Sequence, residues 1–383
     1  MSVQIFTQAN LYKLKWEKYY LGEQFRQYFS PIILDGVSNH IKNLYGEVGL
    51  LAFEGYLLPF TLGNYKRKKT AYVASNISQY IDYAEDEIIS NPKYKKQLRI
   101  IAPIVFEILR VFSRATGFDK CIFLNTFFLS TNLPQGKIPS GIEEAIKTLK
   151  KHYPNRAIVF KGIAANRSLP LLHRLKQSGF KTIPGRLLYF IAHDDEDFKK
   201  KRPYQQDLKR WQKAEGFTWI KPEKLLEEQR RTIVKFYKDL YLEKYSLFNP
   251  QYTERFIKAA HESKILPFDL LFKENELLAV QAIHTNQNEL TTPFIGYDQK
   301  KPKDWNLYRF MNIRMTQLAI EKNLDFNMSS GAGKFKKQRG GKPIFEYNLV
   351  YLKGMAFYRK WPYLLFKWLG NKYVKPAMLK MDD

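Results

Sequence analysis

Residues 324–351 have the sequence LDFNMSSGAGKFKKQRGGKPIFEYNLVY. Apolar and polar residues alternate over residues 324–328, and a second apolar run covers residues 344–351, so both ends are typical of half-buried strands. Glycine pairs bracket the segment between them, which carries four cations, namely Lys334, Lys336, Lys337 and Arg339. The stretch therefore predicts a strand, then a basic helical turn, then a second strand. Its cations indicate either an anionic ligand or a helix face turned to water.

The pair Phe335-Lys336 follows the penultimate strand of this pattern, and in that respect the segment resembles a GNAT-fold acyltransferase domain of the FemAB-like branch. The resemblance implies an activated acyl donor held beside an amine. It also implies that the lysine lies against the donor phosphate or the developing oxyanion, a role that transfers only to Lys336. Acyl transfer builds negative charge on a carbonyl oxygen, and a fixed cation nearby stabilises that charge.

The resemblance extends in order over residues 204–353. A hairpin is predicted over residues 270–284, a strand over residues 290–296 and an amphipathic helix over residues 307–320. The loop at residues 297–306 departs from a coenzyme-A-binding domain because it has no glycine to offer backbone N–H groups to a pyrophosphate. Either lysine side chains replace those donors or the donor is not coenzyme A; the lysines are Lys300, Lys301 and Lys303.

The first half shows hairpin, strand, helix, strand, helix, strand over residues 30–193, which resembles a degenerate copy of the same domain. Its hairpin turns at Glu54-Gly55 and precedes a basic turn, Lys66-Arg67-Lys68-Lys69. A predicted helix from Ser75 to Ile89 carries acids that we expect to face water, although Glu85 or Glu87 could meet an amine.

A hydrophilic stretch at residues 193–203 changes abruptly from acidic to basic and is the predicted linker. The fold class predicted is therefore α/β (α+β), with tandem GNAT-like domains, each a mixed and mostly antiparallel sheet flanked by helices. The predicted domains are residues 1–195, a degenerate first copy; residues 204–353, the FemAB-like copy; and residues 354–383, a basic aromatic C-terminal helix.

A base for an attacking ammonium has four candidates in the second half: Glu346, Asp325, Asp298 and His284. Glu346 lies in the middle of a predicted strand, where an unpaired inward carboxylate would be costly, so it is either paired with a cation or faces water. It is the candidate we favour. We expect Asp325 and His284 to be structural.

The amino-acid composition indicates which classes of binding partner the chain favours. Lys and Arg outnumber Asp and Glu by 63 to 37, a formal charge of +26, which favours polyanions such as RNA, anionic lipid head groups or phosphorylated cofactors. The single cysteine, Cys121, lies in an apolar run, and the six histidines lack metal-ligand spacing, so we expect no metal. No apolar run reaches the roughly 20 residues that span a bilayer.

The C-terminal segment 357–369 mixes aromatic residues with cations, as helices at membrane interfaces and single-stranded RNA-binding surfaces do. We expect it to dock on its own domain, with membrane contact as the alternative. The expected location is the cytoplasm, either in solution or peripherally at the inner face of the membrane.

The sequence thus predicts an N-acyltransferase that moves an acyl or aminoacyl group from a phosphate-bearing donor, acyl-CoA or aminoacyl-tRNA, to an amine. Lys336 and Glu346 are the predicted catalytic residues. The predicted donor contacts are Lys334, Lys337, Arg339, Lys300, Lys301 and Lys303. The alternative is a non-catalytic basic module that binds RNA, including tRNA, or an anionic membrane surface.

Overall fold

Twelve strands form one mixed sheet in the computed structural model, within the residues that it describes: 3–66, 70–92, 94–164 and 167–382. Residues 67–69 of the predicted basic turn lie outside them. The strands are β1 Gln4–Phe6, β2 Val48–Phe53, β3 Tyr56–Leu62, β4 Cys121–Leu124, β5 Ala157–Ala164, β6 Lys181–Ile191, β7 Phe217–Ile220, β8 Phe268–Lys273, β9 Glu276–Thr285, β10 Glu289–Tyr297, β11 Asp325–Asn327 and β12 Lys342–Tyr351.

The sheet order is β1-β2-β3-β4-β5-β12-β6-β11-β10-β9-β8-β7, and it repeats one pattern on each side of its centre. In the first half, β2 and β3 form a hairpin, β3 pairs antiparallel with β4, and β4 pairs parallel with β5. In the second half, β8, β9, β10 and β11 repeat that series of pairings. The chain is therefore a tandem of two like α/β units, as the sequence predicted.

The two halves meet by exchanging their last strands. β12, from the C-terminal half, pairs antiparallel with both β5 and β6, and β6 pairs on its other side with β11. The hydrogen-bonded ladder consequently crosses the predicted boundary between residues 1–195 and 204–353, which stays a prediction as a division into domains.

Helices cover both faces of the sheet. They are α1 Gly22–Asp35, α2 Tyr83–Ser90, α3 Lys96–Ala115, α4 Ile142–His152, α5 Leu169–Gln177, α6 Arg202–Gln212, α7 Glu227–Tyr237, α8 Glu254–Glu262, α9 Leu307–Glu321, α10 Gly333–Gln338, α11 Phe357–Leu369 and α12 Lys375–Asp382. Turns of π-helix at Ser78–Asp82 and Lys238–Glu243 precede α2 and follow α7, and another at Gly370–Val374 connects α11 to α12. The largest buried cluster takes side chains from both halves, so the halves share a core.

Several predicted elements are confirmed, among them the hairpins at Glu54-Gly55 and at residues 270–284 and the helix at residues 307–320. The expectation that the acids of the Ser75–Ile89 helix face water is wrong for Asp82 and Glu85. Both are buried against Arg110 of α3, because that guanidinium is itself buried and requires anionic partners.

The loop between β4 and α4 of the first half contacts strands of the second half. In this loop, Ser130 Oγ donates to the carbonyl oxygen of Pro293, and the Leu133 N–H donates to His284 Nε2 at 3.3 Å. Gln135 Nε2 donates to the carbonyl oxygen of Thr285. The loop therefore packs against β9 and β10.

The C-terminal helix α11 docks on the first half. Its Tyr363 is buried and donates a hydrogen bond to the carbonyl oxygen of Phe118 at 2.8 Å, and the ring of Phe366 stacks on that of Phe118. Docking was expected, but against the second half. Among the described residues, no helix is long and apolar enough to cross a membrane.

Candidate functional site

The candidate site lies where β12 passes between β5 and β6. Glu346 is paired with Ala164 on β5, whereas the register with β6 shifts between Phe345 and Tyr347 and skips Glu346. The ladder is irregular here in the manner of a β-bulge, a feature that often redirects a side chain next to a functional site.

Glu346 meets Arg186 of β6 in a bidentate pair. Nε and Nη2 of Arg186 each donate to a carboxylate oxygen of Glu346 at 2.9 Å. Glu346 is buried, and the side chain of Arg186 is 20% exposed, so Arg186 is the more exposed member of the pair. Burial acts to lower the pKa of Arg186, but the adjacent carboxylate outweighs it and raises that pKa further above its usual value.

Glycine makes room for this carboxylate on both neighbouring strands. A Cβ added at Gly162 on β5 would lie 3.5 Å from Glu346 Oε1, and one added at Gly185 on β6 would lie 3.5 Å from Oε2 and 3.1 Å from the Glu346 carbonyl oxygen. A side chain at Gly185 would therefore press on the backbone of β12 beside the pair.

Two buried lysines flank the Arg186–Glu346 pair. Burial lowers the pKa of Lys161 to about 7, with Glu346 acting in the opposite direction. Burial, assisted by the charge of Arg186, also lowers the pKa of Lys336 to about 7. Perturbed lysines beside a buried ion pair are typical of functional sites, although structural networks perturb pKa values too.

Lys336 points into a tight turn at residues 328–332, which we call the serine loop. Its ammonium donates to the carbonyl oxygens of Met328, Ser329 and Ser330 at 2.6, 3.1 and 2.7 Å. Ser329 has φ of 60° and Ala332 has φ of 49°, a left-handed conformation that costs non-glycine residues free energy. Lys336 thus binds and orders a strained loop, and its ammonium is turned away from solvent.

The serine loop also contacts the Arg186–Glu346 pair and the first copy. Nη1 of Arg186 lies 3.5 Å from Ser330 Oγ, and Nη2 lies 3.5 Å from Thr131 Oγ1. Thr131 Oγ1 is in turn 2.9 Å from Ser329 Oγ. A continuous polar chain therefore connects the two predicted catalytic residues, Lys336 and Glu346, through Arg186.

Partly exposed tyrosines border this centre, and we call them the tyrosine rim: Tyr72, Tyr80, Tyr83, Tyr241 and Tyr308. Arg186 and Glu346 both act electrostatically on the pKa of Tyr72, which burial raises. The Tyr80 hydroxyl accepts a hydrogen bond from Asn348 Nδ2, on the strand that carries Glu346. Burial raises the pKa of Tyr308 to about 12, so these phenols stay neutral.

Two rim tyrosines are carried by the π-helical turns, since Tyr80 lies in Ser78–Asp82 and Tyr241 in Lys238–Glu243. Single turns of π-helix inside α-helices occur frequently at functional sites. One turn belongs to each half of the chain. The Arg186–Glu346 pair, the serine loop and the tyrosine rim together form what we call the junction site.

The predicted donor contacts lie at one flank of the junction site. The ring centroids of Phe335, in the basic turn, and Tyr308 are 5.0 Å apart. Tyr308 follows closely in sequence on the loop that contains Lys300, Lys301 and Lys303. Lys334, Lys300 and Lys303 are exposed, and Lys337 is partly exposed. Lys301 pairs with Glu276 at 2.7 Å. Arg339 is buried, donates to Asp207 at 2.6 Å and stacks on Phe335, so its charge is engaged within the fold.

The parallel strands beside this flank differ in length. β10 and β11 are paired over residues 289–291 and 325–327, after which β10 continues to Tyr297 while the chain turns into the serine loop. The later part of β10 thus extends beyond β11, and the loop at residues 297–306 begins where β10 ends.

The other predicted bases have structural partners. Asp325 accepts from His193 Nδ1 at 2.9 Å and forms an ion pair with Arg167. His284 is buried between the carbonyl oxygen of Ile265 and the N–H of Leu133, and burial lowers its pKa to about 4. Asp298 accepts from the N–H of Lys300 in the loop at residues 297–306. Glu346 is the candidate that lies at the junction site.

Sequence reasoning missed Arg186 and Lys161. The available signal was a charged residue adjacent to glycine inside an apolar strand, which occurs at Lys161-Gly162 and at Gly185-Arg186. Lysine and arginine are seldom buried without partners, so their presence in such runs indicates a buried polar centre. Among the described residues, no group of three or more His, Cys, Asp or Glu side chains is placed to hold a metal ion.

No protein-family model matches the chain, and no curated protein matches it in sequence. Similar solved structures include L-PGS from Bacillus licheniformis, with 17% identity, coverage of 65% of this chain and 82% of that one, and a TM-score of 0.45. FemX has 13% identity, coverage of 54% and 75%, and a TM-score of 0.42. A tandem GNAT protein from the clavulanic acid biosynthesis pathway has 6% identity, coverage of 91% and 98%, and a TM-score of 0.38.

Further similar structures are GCN5-related N-acetyltransferases from Kribbella flavida and Sphaerobacter thermophilus, of the superfamily that the residues around Phe335-Lys336 resemble.

Proposed function

We propose that the chain is an N-acyltransferase whose chemistry takes place at the junction site. The observation that carries the proposal is the Arg186–Glu346 pair, which is held at the strand exchange with its carboxylate buried and its arginine partly exposed. A buried carboxylate next to a fixed cation offers both a proton acceptor and a stabiliser of negative charge.

The reaction joins an amine nitrogen to the carbonyl carbon of an activated acyl group. As the C–N bond forms, the carbonyl oxygen becomes anionic and is stabilised by the positive charge of Arg186. The charge of Lys336, on the far side of Ser330, adds to this field. The attacking nitrogen loses a proton to Glu346, directly or through water. The C–S bond of a thioester or the C–O bond of an aminoacyl ester then breaks, and the departing sulfur or oxygen takes up the proton.

Lys336 contributes in this scheme through position and charge. Because its ammonium binds three carbonyl oxygens of the serine loop, it fixes Ser330 beside Arg186. Its removal would release a strained turn at the edge of the reacting centre, and small displacements there reduce rates strongly.

The donor is proposed to carry phosphate, bound by the exposed lysines at the flank where β10 extends beyond β11. Lys300, Lys303 and Lys334 are available there for a diphosphate or a nucleic-acid backbone. Acyl-CoA and aminoacyl-tRNA both satisfy this requirement, and the acceptor is an amine.

Untargeted mass spectrometry of cell extracts tests the proposal. Cells expressing the wild type are compared with cells expressing Lys336→Ala and Lys322→Ala, matched for folded protein; Lys322 is an exposed lysine at the end of α9. We expect a product heavier by an acyl or aminoacyl increment with the wild type and Lys322→Ala, and at least tenfold less with Lys336→Ala. Equal product from folded Lys336→Ala would refute the role of Lys336.

A non-catalytic basic module is favoured by one observation, the charge of +26. Binding of that kind should collapse steeply between low and moderate salt, because it depends on counterion release. Turnover on a small amine should persist over the same range. Salt-sensitive RNA or vesicle binding, with no wild-type product in the extracts, would replace the transferase proposal.

A further inference from the structure

The helix α3 differs from an ordinary surface helix because most of its large apolar side chains are exposed, while Phe106 and Leu109 pack against the core. Eight large apolar side chains along it are exposed, and we call them the apolar face: Leu98, Ile100, Ile101, Ile104, Val105, Ile108, Val111 and Phe112. Ile104 is 65% exposed and Ile108 is 64% exposed. At 100° per residue these positions occupy on the order of half the helix circumference.

The opposite side of α3 carries a buried charge. Arg110 is 1% exposed and pairs with Asp82, Glu85 and Glu107, with Nε lying 2.7 Å from Asp82 Oδ1. The ion pairs tie α3 to the helical segment behind it. A helix that turns its arginine inward and its isoleucines outward is arranged for an apolar exterior, because an exposed apolar patch of this extent is rare on soluble monomers.

Cations mark both ends of the apolar face. Lys95, Lys96 and Arg99 lie at its N-terminal end and Arg114 at its C-terminal end, where Arg359 of α11 approaches Gly117. Glu107, which is paired with Arg110, is the one acid within residues 94–118. This arrangement of apolar centre and cationic ends is complementary to an anionic lipid surface.

From these observations we propose that α3 lies in the plane of an anionic membrane surface, with its apolar face in the acyl boundary and its terminal cations at the lipid phosphates. The charged residues of α3 prevent it from crossing the bilayer. A second copy of the chain is the less suitable occupant, because two molecules of charge +26 would bring like-charged ends together.

The proposal is independent of the transferase activity, but it has a geometric consequence for the junction site. Asp82 lies in the π-helical turn that also carries Tyr80 of the tyrosine rim, and Tyr83 of the rim begins α2. One helical segment therefore contacts α3 on one side and borders the junction site on the other. Docking of α3 would place the tyrosine rim one helix layer from the lipid surface.

Vesicle co-sedimentation tests the proposal with a matched control. Vesicles of phosphatidylglycerol and phosphatidylcholine are compared with phosphatidylcholine alone, using the full chain, Ile104→Ser/Ile108→Ser and Leu226→Ser/Leu247→Ser. Leu226 and Leu247 are 66% and 64% exposed, the same as the two isoleucines, but lie elsewhere. We expect the isoleucine pair to weaken binding to anionic vesicles at least tenfold and the leucine pair to leave it within twofold.

A second readout detects insertion directly. Because Cys121 is buried, an introduced Ile108→Cys can be labelled selectively with an environment-sensitive fluorophore, with Leu226→Cys as control. We expect anionic vesicles to raise and blue-shift the emission at position 108 only. Absence of wild-type binding, equal binding by both double variants, or a wild-type dimer that Ile104→Ser/Ile108→Ser converts to monomer would each overturn the proposal.

Discussion

At the scale of single residues, the junction site depends on buried charges that compensate one another. Lys161 donates to the carbonyl oxygens of Tyr72 and Val73, at 3.1 and 3.2 Å, and Lys336 donates to three others. Arg186 and Glu346 satisfy each other. Such networks are stable when every member has a partner and costly when one is lost.

Lys161 gives a prediction about pH. Its pKa falls from 10.5 to about 7 on folding, so between these values the unfolded chain binds the proton and the native chain does not. Stability from this group therefore rises with pH over that window, by up to about 1.4 kcal/mol per unit. Relative to Lys161→Met, the wild type should gain about 2 kcal/mol between pH 7.5 and 9.5, measured by urea unfolding. A constant difference would mean that the ammonium stays charged in the fold.

The Arg186–Glu346 pair gives a prediction about coupling. Arg186→Met or Glu346→Gln alone should destabilise the chain by about 2–4 kcal/mol, because the first leaves a buried carboxylate and the second a largely buried guanidinium without its counter-charge. The double variant should lose less than the sum of the two, and the difference is the interaction energy. Denaturant unfolding of the four proteins measures it. Additive losses would show that the two side chains do not interact.

Sequence reasoning reached part of this site. It selected Lys336 from a glycine-bracketed basic turn and Glu346 from its position within a strand, and the structure joins the two through Arg186. It did not select Arg186, because local periodicity does not reveal which strand from the other half of the chain will lie beside Glu346. The roles of both predicted residues stay predictions.

At the scale of elements, close approach of α7 to β10 positions one side of the tyrosine rim. A Cβ added at Gly296 would lie 2.8 Å from Phe236 Cβ and 3.0 Å from the backbone of Phe236 and Tyr237. The π-helical turn with Tyr241 follows α7 directly. Glycine at this position therefore sets how near the helix comes to the sheet.

Gly296→Ala should accordingly destabilise the chain by about 1–3 kcal/mol, since the added methyl must push α7 outward. It should also lower transferase activity beyond what the loss of folded protein explains, because Tyr241 moves with the helix. Gly36→Ala is the control: it has φ of 84° but nothing within 4 Å of the added Cβ, so it carries backbone strain without a clash. Thermal unfolding and product yield are compared. The discriminating measurement is product yield per folded protein, because strain at Gly36 also costs stability; an equal loss of that yield in the two variants would contradict the packing argument.

At the scale of the whole molecule, the exchange of β6 and β12 makes the two halves dependent on each other. β12 fills the space between β5 and β6, so residues 1–195 alone would leave β5 with an open edge and β6 without either neighbour. An unpaired central edge exposes backbone groups and apolar side chains that favour aggregation.

We therefore expect residues 1–195 expressed alone to be insoluble or unfolded, and the full chain to unfold in one cooperative transition. Circular dichroism reports on both halves, whereas five of the six tryptophans lie beyond residue 204, at Trp211, Trp219, Trp305, Trp361 and Trp368. Coincident urea curves from dichroism and tryptophan fluorescence would bear this out. Two separated transitions would show that the halves fold independently.

The sequence by itself determined the hairpins at Glu54-Gly55 and at residues 270–284, the helix at residues 307–320 and the basic turn with its Phe335-Lys336 pair, because these follow from local periodicity, turn residues and charge. The tandem character was predicted from the resemblance to a known fold, and the helix α3 was not predicted. Only the tertiary structure decided that β12 enters the first half, that Arg186 meets Glu346, and that α3 turns its isoleucines outward. The first two involve residues far apart in the chain, which local patterns do not relate. The third depends on which side of the helix is covered by its neighbours, and periodicity predicts an apolar side without predicting what packs against it.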